Sequence, residues 1–275
     1  MTWSWSPDQL SALGRFLADR DLCGPRVTAR EVGDGHSNLT YLVSDGERRL
    51  IVRRPPPPPV PAGAHDVLRE AQLVAALADT AVPVPAVLAT ADAGEIVDVP
   101  VVVTEFIDAV VITDETPGTL DRTEIRREIG LSVIDTLADL HEVDWQSIGL
   151  GDFGRPAGFN SRHLRRVCGL AADGDGSLPA EFSGLAEWLR QHTPEESGEA
   201  IVHNDFRLGN MMIGSQGRVA AVLDWELATI GDPLFDLGYF LSSYPQPGEP
   251  LTPTATMGTA VLEAGYPTRL ELLAR

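Results

Sequence analysis

The chain has 275 residues, 43% of them hydrophobic and 22% charged, a profile that excludes a disordered or fibrous protein. Its 21 basic against 40 acidic residues give a formal net charge of −19, which removes the positive field a nucleic-acid or anionic-membrane binder needs. That balance fits either a cationic substrate or a surface charged for solubility, and charge alone does not choose.

The longest apolar stretches, such as Ile96 to Ile107, are broken by Asp98, Pro100 and Glu105 and fall short of the roughly 20 residues of a membrane span. Met1 to Trp5 lacks the basic and apolar regions of a secretory signal. Cys23 and Cys168 are far apart and suggest neither a disulfide framework nor a zinc site. The expectation is a cytoplasmic protein with no membrane and no nucleic-acid partner.

In chain order, Ser6-Pro7 is a helix start, followed by Leu10, Leu13, Phe16 and Leu17 at helical spacing. Arg26 to Val32 reads as a strand, Gly33 to Ser37 as a turn and Leu39 to Val43 as a second strand. Asp45-Gly46 is a hairpin signal leading to a third strand that ends near Arg53. Pro55 to Pro59 forbid continuation of sheet or helix. A helix is expected over about 64–78 and a central strand over Val99 to Phe106. Beyond Asp108 the texture is helical, over Asp121 to Val143, Ser161 to Ala171 and Ala180 to His192. Short strands flank 203–210, and Ala220 to Leu223 is an apolar run ending at Asp224. A β-rich first third thus precedes a mostly helical remainder, with a hinge near 106–119.

The sharpest chemical signal is His203-Asn204-Asp205-Phe206-Arg207-Leu208-Gly209-Asn210, an H-x-D-x-x-x-x-N pattern. Three fixed residues match by chance in roughly one chain in a hundred of this length, so the pattern alone is only suggestive. Fourteen residues after Asn210, however, an apolar strand delivers Asp224. Phosphoryl transfer uses this set: one Asp to orient or deprotonate the attacking hydroxyl, and an Asn and a second Asp to hold magnesium against the triphosphate. Taken singly, each residue reads equally well as a turn former or a solvated strand end.

With Leu223-Asp224-Trp225-Glu226 and Gly231-Asp232-Pro233-Leu234-Phe235-Asp236-Leu237, the run closely resembles the aminoglycoside phosphotransferase (APH)/choline kinase-like family. The best match is the branch related to the kinase-like domain of acyl-CoA dehydrogenase fusions. Gly33-Asp34-Gly35-His36-Ser37-Asn38-Leu39-Thr40-Tyr41 and Val52-Arg53-Arg54-Pro55-Pro56 extend the likeness over almost the whole chain. The resemblance implies an α+β, protein-kinase-like two-lobe fold: a small antiparallel-sheet N-lobe (1–107) and a larger, mainly helical C-lobe (108–275), with ATP between them. It also implies C-terminal helices beyond Arg275 that help wall the substrate site.

By the same resemblance, Asp205 is the catalytic base, and Asn210 and Asp224 are the Mg2+ ligands. Arg207 either stabilises the transferring phosphoryl group or forms a surface salt bridge. Gly33 to Asn38 form the turn over the ATP phosphates, Gly35 allowing close approach and Ser37 or Asn38 offering hydrogen bonds. Arg53 stands where most kinase-like folds carry Lys, so either Arg53 or Arg54 pairs the phosphates with Glu70. Glu105, Phe106 and Ile107 are implied as the adenine hinge, acting through backbone groups. His203 is expected to hold the loop, and Asp236 to cap a helix or buttress that loop. His141-Glu142 lacks H-E-x-x-H spacing and reads as packing or capping. The implied reaction is transfer of the γ-phosphoryl group of ATP to the hydroxyl of a small molecule, with a hydroxyacyl compound favoured over an aminoglycoside or macrolide. A catalytically silent nucleotide-binding module is the reading from a different class, and Arg53 is its main support.

Overall fold

The structure, a computed structural model, describes residues 4–33, 38–56, 65–174 and 176–275. The first helix, α1 (Pro7–Ala18), starts at a capping box. Ser6 Oγ accepts from Gln9 N at 3.2 Å, and Gln9 Oε1 accepts from Ser6 N at 2.9 Å. Its Leu13, Phe16 and Leu17 pack on one face of an antiparallel sheet. That sheet comprises β1 (Thr28–Glu31), β2 (Leu39–Ser44), β3 (Arg49–Arg54), β4 (Val87–Ala91) and β5 (Val101–Glu105), in the order β1-β2-β3-β5-β4.

The β2–β3 hairpin is set by Asp45. Its carboxylate accepts from the backbone amides of Arg48, Gly24 and Glu47 at 2.7–2.9 Å, which holds it well below the usual carboxylate range. Gly46 takes the left-handed φ of +101° that the turn requires. Along β3, Leu50, Val52 and Arg54 are buried on the α1 side, so Arg53 points to the opposite face. On that opposite face lies α2 (Val67–Leu77), whose Val67 and Ala71 cover Val102 of β5.

The chain then leaves the sheet for β6 (Val110–Val111), α3 (Thr123–Glu142), α4 (Phe159–Leu170), α5 (Ala180–Gln191) and β7 (Ala200–Val202). After these come β8 (Met211–Ile213), β9 (Val219–Val222), β10 (Thr229–Gly231), α6 (Pro233–Ser242) and α7 (Arg269–Leu273). β6, β8 and β9 form one small sheet, and β7 pairs with β10. Ile129, Val133, Leu137 and Leu140 of α3 form the spine of the larger core beneath them. Arg69 ties the two halves together, its guanidinium donating to the carbonyls of Ala228 and Phe153 at 3.0 Å each. α4 and α5 are thinly packed: Phe159 and Ala186 are the buried residues of the pair.

Strands β4, β6 and β10 have no counterpart in the sequence expectations. β6 and β10 are two and three residues long, too short to show a period of two. The expected helices and the three N-terminal strands occur with boundaries shifted by a few residues. Among the described residues, no helix is long and apolar enough to cross a membrane.

Candidate active site

The loop that follows β7 is built on a buried carboxylate. Asp236 of α6, fully buried, accepts the backbone N–H of His203 at 2.6 Å and of Asn204 at 2.8 Å. His141 Nε2 of α3 lies 3.5 Å from the same carboxylate. Asp236 therefore buttresses the loop, while Asp232 is the residue that caps α6, accepting from Leu234 N at 3.1 Å. The support has a purpose, since Asn204 holds a left-handed φ of +66°, uncommon outside glycine. Its side chain adds a bond to the Leu227 carbonyl at 2.7 Å. Asp236→Ala leaves two buried amides without acceptors. The expected loss is about 3 kcal/mol or more, read as a lowered denaturation midpoint with an unchanged slope.

His203 joins the loop to the second acidic residue. Its Nδ1 accepts from Asp205 N at 3.2 Å, so the ring proton sits on Nε2, which donates to the Leu223 carbonyl at 2.9 Å. The ring is wholly buried against Phe206 and Trp225, a structural place. The next residue, Asp224, also adopts a left-handed φ of +65°.

Asp205 is surrounded by donors. Tyr239 Oη lies 2.5 Å and Arg207 Nε 3.3 Å from its Oδ1. Asn210 Nδ2 donates to its Oδ2 at 2.7 Å and to its carbonyl at 2.8 Å. Because both contacts require the amide nitrogen, Asn210 turns its oxygen away from Asp205. Arg207 is mostly buried and paired with Asp205, so it is not a surface salt bridge. Sequence reasoning missed Tyr239; no short motif marks it.

Arg53 bridges the halves. One amino group contacts Glu70 Oε1 at 2.5 Å and the other Asp224 Oδ1 at 2.8 Å. Burial pushes Glu70 up to about 7 against the lowering pull of Arg53. For Arg53, burial lowers, but the charges of Glu70 and Asp224 more than offset it and hold the guanidinium above its ordinary value. Arg54 lies on the other face, its guanidinium over Trp5 and donating to Tyr41 Oη at 3.3 Å. The question of which arginine joins the acidic cluster is thus answered by strand parity.

Of the other expected residues, Gly33 has φ +85° with open space where a Cβ would sit. Asn38 is buried, with Nδ2 3.5 Å from Glu226 Oε2 and its Oδ1 without a partner among the described residues. Gly35 and Ser37 lie outside the described residues. Glu105 and Ile107 sit where β5 hands over to β6. Glu105 spends its carboxylate and its amide on Ala86, and the Ile107 carbonyl accepts from Ala109 N.

A cavity of about 890 Å³ opens beside Asp205. Asp205, Arg207 and Tyr239 form one end, and Leu164, Val167 and Leu189 of α4 and α5 form the facing wall. Arg53, Glu70 and Asp224 do not line it.

The family model of the APH phosphotransferase enzyme family matches residues 28–271. The chain belongs to this family. As a member of the APH family it is a phosphotransferase with an alcohol group as acceptor, and its fold is the protein-kinase-like one. Acyl-CoA dehydrogenase family member 11 of Gallus gallus is 34% identical over 230 residues, covering 79% of this chain and 28% of that protein. Acyl-CoA dehydrogenase family member 10 of Mus musculus is 32% identical over 212 residues, covering 76% and 20%. The chain spans about a fifth to a third of the length of the curated relatives it matches. A solved structure from Ralstonia eutropha, a candidate aminoglycoside phosphotransferase, superposes with a TM-score of 0.75 at 29% identity, covering 95% of this chain and 77% of that one. A macrolide 2'-phosphotransferase of Brachybacterium faecium shares the fold at 19% identity and a TM-score of 0.58, covering 98% and 83%.

Proposed function

We propose that the chain is a magnesium- and ATP-dependent kinase that phosphorylates the hydroxyl of a small, largely apolar acceptor, a hydroxylated acyl compound. The observation that carries this is Asp205 on the lining of an apolar-walled cavity, in a loop that His203 and Asn210 tie to Leu223, the neighbour of Asp224 in the Arg53–Glu70–Asp224 cluster. Residues 1–107 form the nucleotide side in this reading, and 108–275 carry the acceptor side. Asp205 accepts the proton of the acceptor hydroxyl, and Arg207 stabilises charge on the group in transfer. Arg53, held by Glu70, grips the phosphates. Gly33 and Asn38 belong to the nucleotide side, and the backbone of Glu105 and Ile107 receives the adenine.

The donor chemistry fits magnesium. Asp224 offers a carboxylate and Asn210 an amide oxygen directed away from Asp205, both hard ligands. Among the described residues there is no group of three or more His, Cys, Asp or Glu that could hold a metal by itself. Two protein ligands completed by substrate phosphates are how magnesium is usually held. When bound, magnesium neutralises charge on the triphosphate. No covalent enzyme intermediate is needed, because orientation and charge stabilisation supply the barrier lowering.

The acceptor class follows from the cavity wall. A polycationic acceptor needs several uncommitted carboxylates. Of the three carboxylates that line the cavity among the described residues, Asp205 is the base and Asp232 is spent on Ser197 Oγ at 2.5 Å and Asn160 Nδ2 at 2.9 Å, which leaves Glu195 alone. Leu164, Val167, Leu170, Leu234 and Phe235 offer instead a surface for a hydrocarbon chain. Arg166 stands in that wall without an ion pair among the described residues, suited to an anionic end group. Burial and Arg166 hold the neighbouring His163 below its ordinary value, which keeps it neutral.

The test measures ADP formation from Mg·ATP with hydroxyacyl-CoA thioesters of graded chain length, free hydroxy fatty acids, an aminoglycoside and a macrolide. The expected result is turnover with hydroxyacyl acceptors that improves with chain length. Preference for either antibiotic would overturn the acceptor class, and failure to bind Mg·ATP would overturn the enzyme reading.

A further inference from the structure

Counting lone pairs on Asp205 identifies the oxygen that is free to act. A carboxylate offers about four acceptor positions, two on each oxygen. On Oδ1 both are taken, by Tyr239 Oη at 2.5 Å and Arg207 Nε at 3.3 Å. On Oδ2 one is taken, by Asn210 Nδ2 at 2.7 Å. Among the described residues one position on Oδ2 therefore remains.

Tyr239 reaches Asp205 from α6, three residues after Asp236, so both project from one helix face. That face supports the loop twice: Asp236 holds its backbone and Tyr239 holds its carboxylate. Tyr239 also lines the cavity. Burial, together with the bond to Asp205, holds the phenol well above its ordinary value, so it stays a donor at neutral pH.

We infer that Tyr239 is a positioning residue: its hydroxyl pins Oδ1 of Asp205 and thereby presents the open lone pair of Oδ2 to the acceptor hydroxyl in the cavity. The inference rests on Asp205 being the base. In the step itself the acceptor oxygen bonds to the γ-phosphorus while the bond from that phosphorus to the ADP oxygen breaks. The hydroxyl proton passes to Oδ2 and is later released to water, and Tyr239 keeps its own proton throughout.

Tyr239→Phe retains the ring and removes only the donor. Misorientation of a reacting group is worth up to about 100-fold, so the expected result is a fall in kcat of about 10- to 100-fold. KM for ATP and for the acceptor should stay within about twofold and the melting temperature within about 2 °C, magnitudes expected for a change confined to transfer. The acceptor is the best hydroxyacyl-CoA of the panel. Should none turn over, slow hydrolysis of Mg·ATP by water serves as the readout, which separates this inference from the acceptor class. A kcat for Tyr239→Phe within about twofold of wild type, or a loss matched by a fall in stability, would each overturn the inference. If Asp205→Asn kept its turnover, the base assignment itself would fall, a different outcome from an active Tyr239→Phe.

Discussion

Asp205→Asn is expected to lower turnover by about 10²- to 10⁴-fold, the range for loss of a positioned general base. ATP affinity should be largely retained. The side-chain contacts of Asp205 run to Tyr239, Arg207 and Asn210, all in the C-terminal half, and none to Arg53 or Glu70. The substitution is isosteric but not electrically neutral in its effects. With the amide oxygen kept at the Tyr239 and Arg207 side, its NH2 group must face the NH2 group of Asn210, a donor against a donor. Relief requires Asn210 to turn, which moves the amide oxygen that the proposed site offers to magnesium. The variant should therefore need more Mg2+ for nucleotide binding in addition to losing turnover. Calorimetric titration of ATP at several Mg2+ concentrations checks the first effect, and single-turnover transfer the second. Turnover near the wild-type level would show that Asp205 is not the base.

Much of this site is legible in the chain because its residues lie in strict local frames. Asp205 and Asn210 are five apart on one loop, and Asp224 follows an apolar strand, so order and spacing carry them. The helices declare themselves through caps such as Ser6-Pro7 and through 3.6-residue periodicity. Arg53 and Arg54 are the instructive case. Strand alternation decides between them, yet Leu50, Ile51 and Val52 are apolar on both faces, so the sequence carries no parity. Only the seating of Tyr41 and Trp5 on one side sends Arg54 there and leaves Arg53 for the acidic cluster. Tyr239 was illegible for a different reason. Its role depends on α6 lying beside the loop 34 residues earlier, a tertiary fact with no local signature. Asp236 was half legible, since its spacing suggested either a cap or a buttress, and the cap proves to be Asp232.

Arg53→Ala tests the acidic cluster, and its effects should be large on both stability and nucleotide use. The guanidinium holds two carboxylates at once, and the Glu70 side chain is only 8% exposed. Removing one partner of a buried pair typically costs about 3–5 kcal/mol, because the remaining charge stays out of water. The pH dependence gives the sharper check. Glu70 already sits at about 7, above its ordinary value of 4.5, so its proton is bound more tightly in the folded chain. Stability from this group is therefore fully present below about 4.5 and declines as pH rises toward 7. Loss of Arg53 removes the one cation that pulls Glu70 downward, which raises its pKa further and extends the decline to higher pH. The deficit of Arg53→Ala relative to wild type should be small at pH 5, where Glu70 is protonated, and large at pH 8. Denaturant midpoints at the two pH values measure it. Arg53→Lys should recover part of the stability but not the bridge, since a single ammonium is a point charge without the fork that spans Glu70 and Asp224. For catalysis the same logic predicts a raised KM for Mg·ATP in both variants, more severe for Ala. A pH-independent deficit would mean that Glu70 is already neutral in the wild type, and that Arg53 answers to Asp224 alone.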